Sequence, residues 1–178
     1  MTYQRILLCC IIFTGCLSCQ DDANKRIVPK AKKITSAKPL IQHNNTEKEK
    51  LSDYGFFKLP LANLEPTDGV VLYDLNSPLF SDYAFKKRFV YLPDSKKINY
   101  KNKGVMDFEN GSVLIKNFYY PKDFRKPEQE KRIIETRLLI KEDDAWKPLN
   151  YIWNKEQTEA TLNYVGKQEL VHGIDNKG

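Results

Sequence analysis

The chain has 178 residues, enough for one domain and a tail but not for two independently packed cores. Lysine and arginine outnumber aspartate and glutamate by 29 to 23, yet such an excess marks a nucleic-acid surface only when it gathers on a folded face, and much of it lies in an amino-terminal tail. All four cysteines, Cys9, Cys10, Cys16 and Cys19, precede residue 20, which excludes a disulfide, a thiolate metal site or a cysteine nucleophile from the body of the protein.

Arg5 supplies a positive start, and the apolar run Ile6 to Phe13 has the length of a signal-peptide core. It is shorter than the roughly 18 apolar residues that a membrane-spanning helix needs. Small residues then lead twice to a cysteine, in Phe13-Thr14-Gly15-Cys16 and in Cys16-Leu17-Ser18-Cys19. Both resemble the lipobox of bacterial lipoproteins, in which the cysteine is acylated and becomes the first residue after cleavage. Cys19 is the preferred acceptor, because polar Gln20-Asp21-Asp22 begins directly after it. That run resembles the acidic start of many lipoproteins of the Bacteroidetes, where it can direct export to the cell surface. The resemblance implies a signal peptide over 1–18 and lipidation at Cys19. It also implies attachment through lipid to the outer membrane of the cell envelope, with surface exposure. An uncleaved anchor and an ordinary secreted protein are the alternatives.

Residues 19–50 are polar and rich in Lys, Asn, Thr and Ala, with neither helical nor strand periodicity, and are expected to be a disordered basic tether. Such a coil spans about 30 Å root-mean-square. No aromatic side chain interleaves with its lysines, so the stacking platform used for single-stranded nucleic acid is absent, and no nucleic-acid partner is expected. His43 lies in this stretch as an incidental residue.

Aromatic and β-branched residues concentrate from Leu51 onward, which places a β-rich domain at 51–178. A helical turn is expected within Leu51 to Phe57, followed by an irregular stretch around Pro60 and Pro66. Strands are expected at Gly69 to Leu75, Phe85 to Leu92 and Lys97 to Tyr100. A hairpin through Asn110-Gly111 is expected to join Val105–Phe108 to Ser112–Tyr119. Ile134, Thr136, Leu138 and Ile140 alternate with Glu135 and Arg137, Asp143-Asp144 supplies a turn, and Leu149, Tyr151 and Trp153 repeat the alternation before Ala160, Leu162 and Tyr164. Successive strands of this kind favour an antiparallel meander within an all-β sandwich or jelly-roll-like fold.

Several long phrases carry a resemblance: Tyr73-Asp74-Leu75-Asn76-Ser77-Pro78-Leu79-Phe80-Ser81-Asp82-Tyr83-Ala84, Gly111 to Tyr119, Ile134 to Ile140, and Tyr151-Ile152-Trp153-Asn154. Through them the domain resembles a largely uncharacterised bacterial family with an amino-terminal β-rich region and a carboxy-terminal cytochrome-c-like region. Members of that family continue into a Cys-x-x-Cys-His haem-attachment motif. This chain has no cysteine after Cys19, so it lacks the thiols for a c-type haem and no cofactor is expected. The polar ending after Glu169 to Gly173 suggests a truncated product, and a natural short relative is the alternative.

No nucleophile elbow, phosphate loop or dinucleotide fingerprint occurs. A Ser-His-Asp arrangement would depend on His172, close to an end expected to fray. Asp74, Asn76 and Asp82 are candidate calcium ligands, although turn and capping hydrogen bonds explain them more simply. Glu135 and Arg137 share a strand face and could meet a ligand, although a cross-strand ion pair is the ordinary explanation. Tyr119, Tyr120, Tyr151 and Trp153 could include rings exposed for stacking on sugars, although strand alternation places most of them in the core. No catalytic or metal-binding residue is assigned. The expected function is a non-catalytic envelope lipoprotein domain related to the amino-terminal part of a haem-associated protein, with a protein or glycan partner; the alternative is a carbohydrate-binding surface lipoprotein.

Overall fold

The computed structural model describes residues 47–93, 96–143, 145–175 and 177. Cys16, Cys19, His43 and the signal-peptide assignment therefore lie outside the described residues. Six strands follow one another: β1 (Val70–Tyr73), β2 (Phe85–Tyr91), β3 (Val113–Pro121), β4 (Lys131–Glu142), β5 (Ala145–Trp153) and β6 (Ala160–Leu162). They make one sheet in chain order, every neighbouring pair antiparallel. The fold is all-β and antiparallel, in its meander form. Where a sandwich would set a second sheet against the first, the domain's own amino-terminal segment packs instead. No helix among the described residues is long and apolar enough to cross a membrane.

The inner face follows from strand alternation. Phe89, Ile115, Leu138 and Leu149 stand in register across four strands, with Tyr91, Val113 and Ile140 in the next row, and all of them are buried. Burying each such side chain contributes about 1.5–3 kcal/mol. Over this face lies the segment that begins at Glu47 and includes 3₁₀ turns at Leu51–Tyr54 and Leu61–Asn63. It inserts Leu51, Tyr54, Phe56, Phe57, Leu61 and Leu64 into the core. Tyr54 stacks on Phe56 at 5.1 Å, Phe56 meets Tyr91 at 5.7 Å and Phe57 meets Phe89 edge-on at 5.0 Å between ring centroids. Gly55, at φ +69°, lets the first turn close with its amide donating to the Ser52 carbonyl at 3.0 Å.

The same segment reaches the far edge of the sheet. Lys50 bridges Thr161, and the Leu162 amide donates to the Glu49 carbonyl at 2.9 Å. Glu47 pairs with Lys147 at 2.9 Å. Residues 47–50, grouped with the tether on composition, thus dock on the domain through backbone pairing that composition does not register.

Three strand assignments are corrected. Residues 97–100 and 105–108 supply only an isolated bridge, Asn99 to Asp107, and β3 pairs with β2 where a local hairpin was expected. The Asn110-Gly111 turn closes through the Ser112 amide and the Glu109 carbonyl at 3.0 Å, with positive φ at Gly111 (+85°) but not at Asn110. A type I′ turn requires both. Gly111 already donates to the Lys141 carbonyl at 2.8 Å, so the turn feeds the chain into the β3–β4 ladder. β6 ends at Leu162, leaving Tyr164 exposed.

A bulge explains a fourth difference. Phe118 pairs with Glu135 while Tyr119 pairs with Ile133, so Ile134 is the extra residue and Ile133 takes its expected place on the inner face. The Gln157 side chain completes the interrupted ladder, accepting from the Ile133 amide at 2.7 Å and donating to the Ile133 carbonyl at 3.0 Å.

One polar chain crosses the core. The Trp153 indole donates to Thr136 Oγ1 at 2.9 Å, that hydroxyl donates to Asn117 Oδ1 at 2.6 Å, and Asn117 Nδ2 donates to the Lys87 carbonyl at 3.2 Å. Thr136→Val would leave the indole N–H and the Asn117 oxygen unpaired. A loss of about 1–2 kcal/mol is expected, read as a lower urea midpoint at unchanged slope; an unchanged midpoint would show that the chain adds nothing to stability.

Candidate functional site

The outer face of the same sheet carries a different pattern. Register places Tyr73, Arg88, Lys116, Arg137 and Asn150 side by side across β1 to β5. The adjoining row holds Lys86, Phe118, Glu135 and Ile152. Three cations therefore stand on directly paired positions of adjacent strands, with Lys86 beside them. Neighbouring strands are about 4.8 Å apart, and like charges placed directly opposite destabilise a sheet.

Two carboxylates answer part of this charge. Asp74, exposed in the loop after β1, reaches Arg88 Nη1 at 3.4 Å. Glu135, only 1% exposed, is bound through both oxygens by Arg137 of the same strand. In place of the cross-strand ion pair expected, Glu135 and Arg137 pair with each other within β4, because side chains two residues apart share a face. Lys116 makes no ion pair among the described residues. Its ammonium lies 4.7 Å from the Phe118 ring centroid, and the Arg137 guanidinium carbon lies 4.9 Å from the same ring. Burial, reinforced by Arg88, Lys86 and Arg137 and opposed in part by Glu135, pushes the Lys116 ammonium down from 10.5 to about 8.

Beside this face runs the loop 74–84. Lys86 Nζ donates to the Leu79 carbonyl at 2.6 Å, and the Tyr120 hydroxyl donates to the Asp82 carbonyl at 3.3 Å. These contacts hold the loop while Leu79 (74%), Phe80 (69%) and Tyr83 (62%) remain exposed. Phe80 and Tyr83 meet edge to face at 5.2 Å. The calcium candidates do not form a ligand cluster: Asp74 Oδ1 accepts from the Leu75 amide at 2.8 Å and faces Arg88. No group of three or more His, Cys, Asp or Glu side chains that could hold a metal occurs among the described residues.

The rings considered for sugar stacking, Tyr119, Tyr120, Tyr151 and Trp153, are all buried. Trp146 was not among them, yet it borders a half-open pocket of about 400 Å³ with Asp107, Phe108, Glu109, Asn110 and Lys141. Phe108 and Trp146 meet edge to face at 5.4 Å, and the Asn110 carboxamide oxygen is buried there without a hydrogen-bond partner among the described residues. His172 is exposed on an end that is anchored rather than frayed: the Phe124 amide donates to the Ile174 carbonyl, and the Ile174 amide to the Lys122 carbonyl, both at 2.9 Å.

No family model, curated protein or solved structure matches the chain.

Proposed function

We propose that the chain is a non-catalytic envelope lipoprotein, held to the outer membrane through acylated Cys19, that presents its β domain as a docking module for a protein partner. Support comes from the loop 74–84, whose exposed Leu79, Phe80 and Tyr83 are held by hydrogen bonds instead of collapsing onto the core. A fixed apolar cluster of this kind is the type of surface that a partner covers. The loop also carries much of the phrase by which the chain resembles haem-associated proteins, so the proposed partner is a haem-bearing envelope protein. The adjacent cations call for an acidic rim on that partner.

A photo-crosslinking residue at Leu75 tests the docking. One dominant adduct that stains for covalent haem and disappears with Phe80→Ser is expected; adducts spread over many proteins, or unaffected by Phe80→Ser, would count against it. For the anchor, labelling with a palmitate analogue should mark the wild type and not Cys19→Ala. Label retained there but lost in Cys16→Ala would move the acceptor three residues upstream.

The pocket beside Trp146 favours carbohydrate binding as a second function, because an aromatic ring next to carboxylates and a carboxamide can stack on a sugar and bond its hydroxyls. Glycan-array binding that is lost in Trp146→Ala would support it, and an array without binding would remove it.

A further inference from the structure

We propose that the outer face of the sheet holds an oxyanion site centred on Lys116, which takes a phosphate group between the side chains of Lys116, Arg88 and Arg137. The site adjoins the apolar loop, because Asp74 pairs with Arg88 and Lys86 bonds the Leu79 carbonyl, but its test needs no docking partner, so the two readings fail separately.

Charge balance gives the first reason. Four cations, Lys86, Arg88, Lys116 and Arg137, face two carboxylates, Asp74 and Glu135, which leaves an excess of two positive charges. A phosphate dianion matches that excess. Placement gives the second. Asp74 and Glu135 form ion pairs with the two outer cations of the row; among the described residues neither pairs with Lys116, which stands between Arg88 and Arg137 on β3, although Glu135 attracts it electrostatically. An anion over Lys116 would be flanked by a guanidinium on each side.

Arg88 gives the third reason. It is only 5% exposed, and among the described residues its ion pair, at 3.4 Å, goes to an exposed carboxylate. A buried guanidinium ordinarily needs fuller pairing than that, and its planar donors suit a tetrahedral oxyanion. Finally, the site is held in advance of binding. The Phe118 ring lies under both Lys116 and Arg137, and buried Glu135 fixes the Arg137 guanidinium by two hydrogen bonds. Glu135 repels an anion at short range, which directs the ligand toward the Lys116 and Arg88 side of the row.

The phosphate group could belong to a free molecule or to a lipid headgroup, and both present the same chemistry to the row. The test uses the full chain in detergent, with its lysines ¹³C-dimethylated, a modification that keeps their charge. Inorganic phosphate is titrated at constant ionic strength against chloride. A saturable shift of the Lys116 signal is expected, with its apparent pKa climbing from about 8 toward the ordinary lysine value. With phosphate affinity read by isothermal titration calorimetry, Lys116→Met should lower it at least tenfold, Lys116→Arg should retain it, and exposed Lys122→Met should leave it unchanged. The second arm places the chain in phosphatidylcholine nanodiscs with and without phosphatidic acid. A Lys116 shift that requires phosphatidic acid and not free phosphate supports the site and assigns its ligand to a headgroup; a shift with free phosphate supports it and assigns a soluble ligand. If neither phosphate source moves the Lys116 signal beyond the chloride control, or if Lys122 moves equally, the proposal is overturned.

Discussion

Phe56→Ala is expected to destabilise the domain by about 3–5 kcal/mol, the range for removing a large aromatic side chain from a core that cannot fully collapse around the gap. Phe56 is buried between Tyr54, which stacks on it, and Tyr91 of β2. Its loss would leave a cavity between the amino-terminal segment and the sheet and loosen the attachment of that segment. Phe80→Ala is the matched control, because Phe80 is an exposed ring of the same size, and surface changes of this kind usually stay within about 0.5 kcal/mol. Urea denaturation of both variants distinguishes them; equal midpoints would mean that the segment before β1 is not part of the cooperative core.

The second large effect concerns pH. The Lys116 ammonium is disfavoured in the folded protein, chiefly by burial and then by Arg88, Lys86 and Arg137, and its pKa falls from 10.5 to about 8. Between these values the unfolded chain binds more protons than the folded one, so this group makes stability rise as pH rises through the window. The full displacement corresponds to about 3.4 kcal/mol. Solvent screening at this partly exposed side chain reduces it to about 2–3 kcal/mol. Lys116→Met should therefore be more stable than the wild type near pH 7 in phosphate-free buffer, and the gap should shrink between pH 8 and 10. Burial raises the pKa of Tyr54 and of Tyr151, but both tyrosines are common to the two proteins and cancel in the difference. A gap that does not change with pH would show that Lys116 is ionised as easily in the fold as outside it.

The core of the fold was legible from side-chain alternation. Thr136, Leu138 and Ile140, then Leu149, Tyr151 and Trp153, are buried where period two placed them, because each face of a strand meets a single environment. Alternation failed at Ile134, where one inserted residue reverses the faces and nothing local announces it. It also failed at 97–100 and 105–108, whose composition suits strands but whose places beside β3 and β4 are taken by longer partners.

The cationic row was not legible. Lys86, Arg88, Lys116 and Arg137 come from three strands, and only the register of β2 on β3 and of β3 on β4 makes them neighbours. Alternation puts Glu135 and Arg137 on one face of their strand, but it does not say which residues of other strands lie alongside. What was missing was the pairing. The pocket beside Trp146 was hidden for a similar reason, since it brings β4 and β5 together with an irregular loop that has no periodicity to read.

Closure of the sheet by its own amino-terminal segment also sets an order of events. The hairpins between successive strands join residues close in sequence, whereas Ser52 meets Glu159 across 107 positions and Tyr54 meets Tyr151 across 97. Contacts this distant form only after a large loop has closed. The first residues of the domain to be synthesised must therefore wait for the last strands before Ser52 and Tyr54 find their partners, even though Phe56 and Phe57 can meet β2 earlier. That interval is when the chain is most open to aggregation or to a chaperone, and a nascent chain ending before Glu159 would stay in that condition.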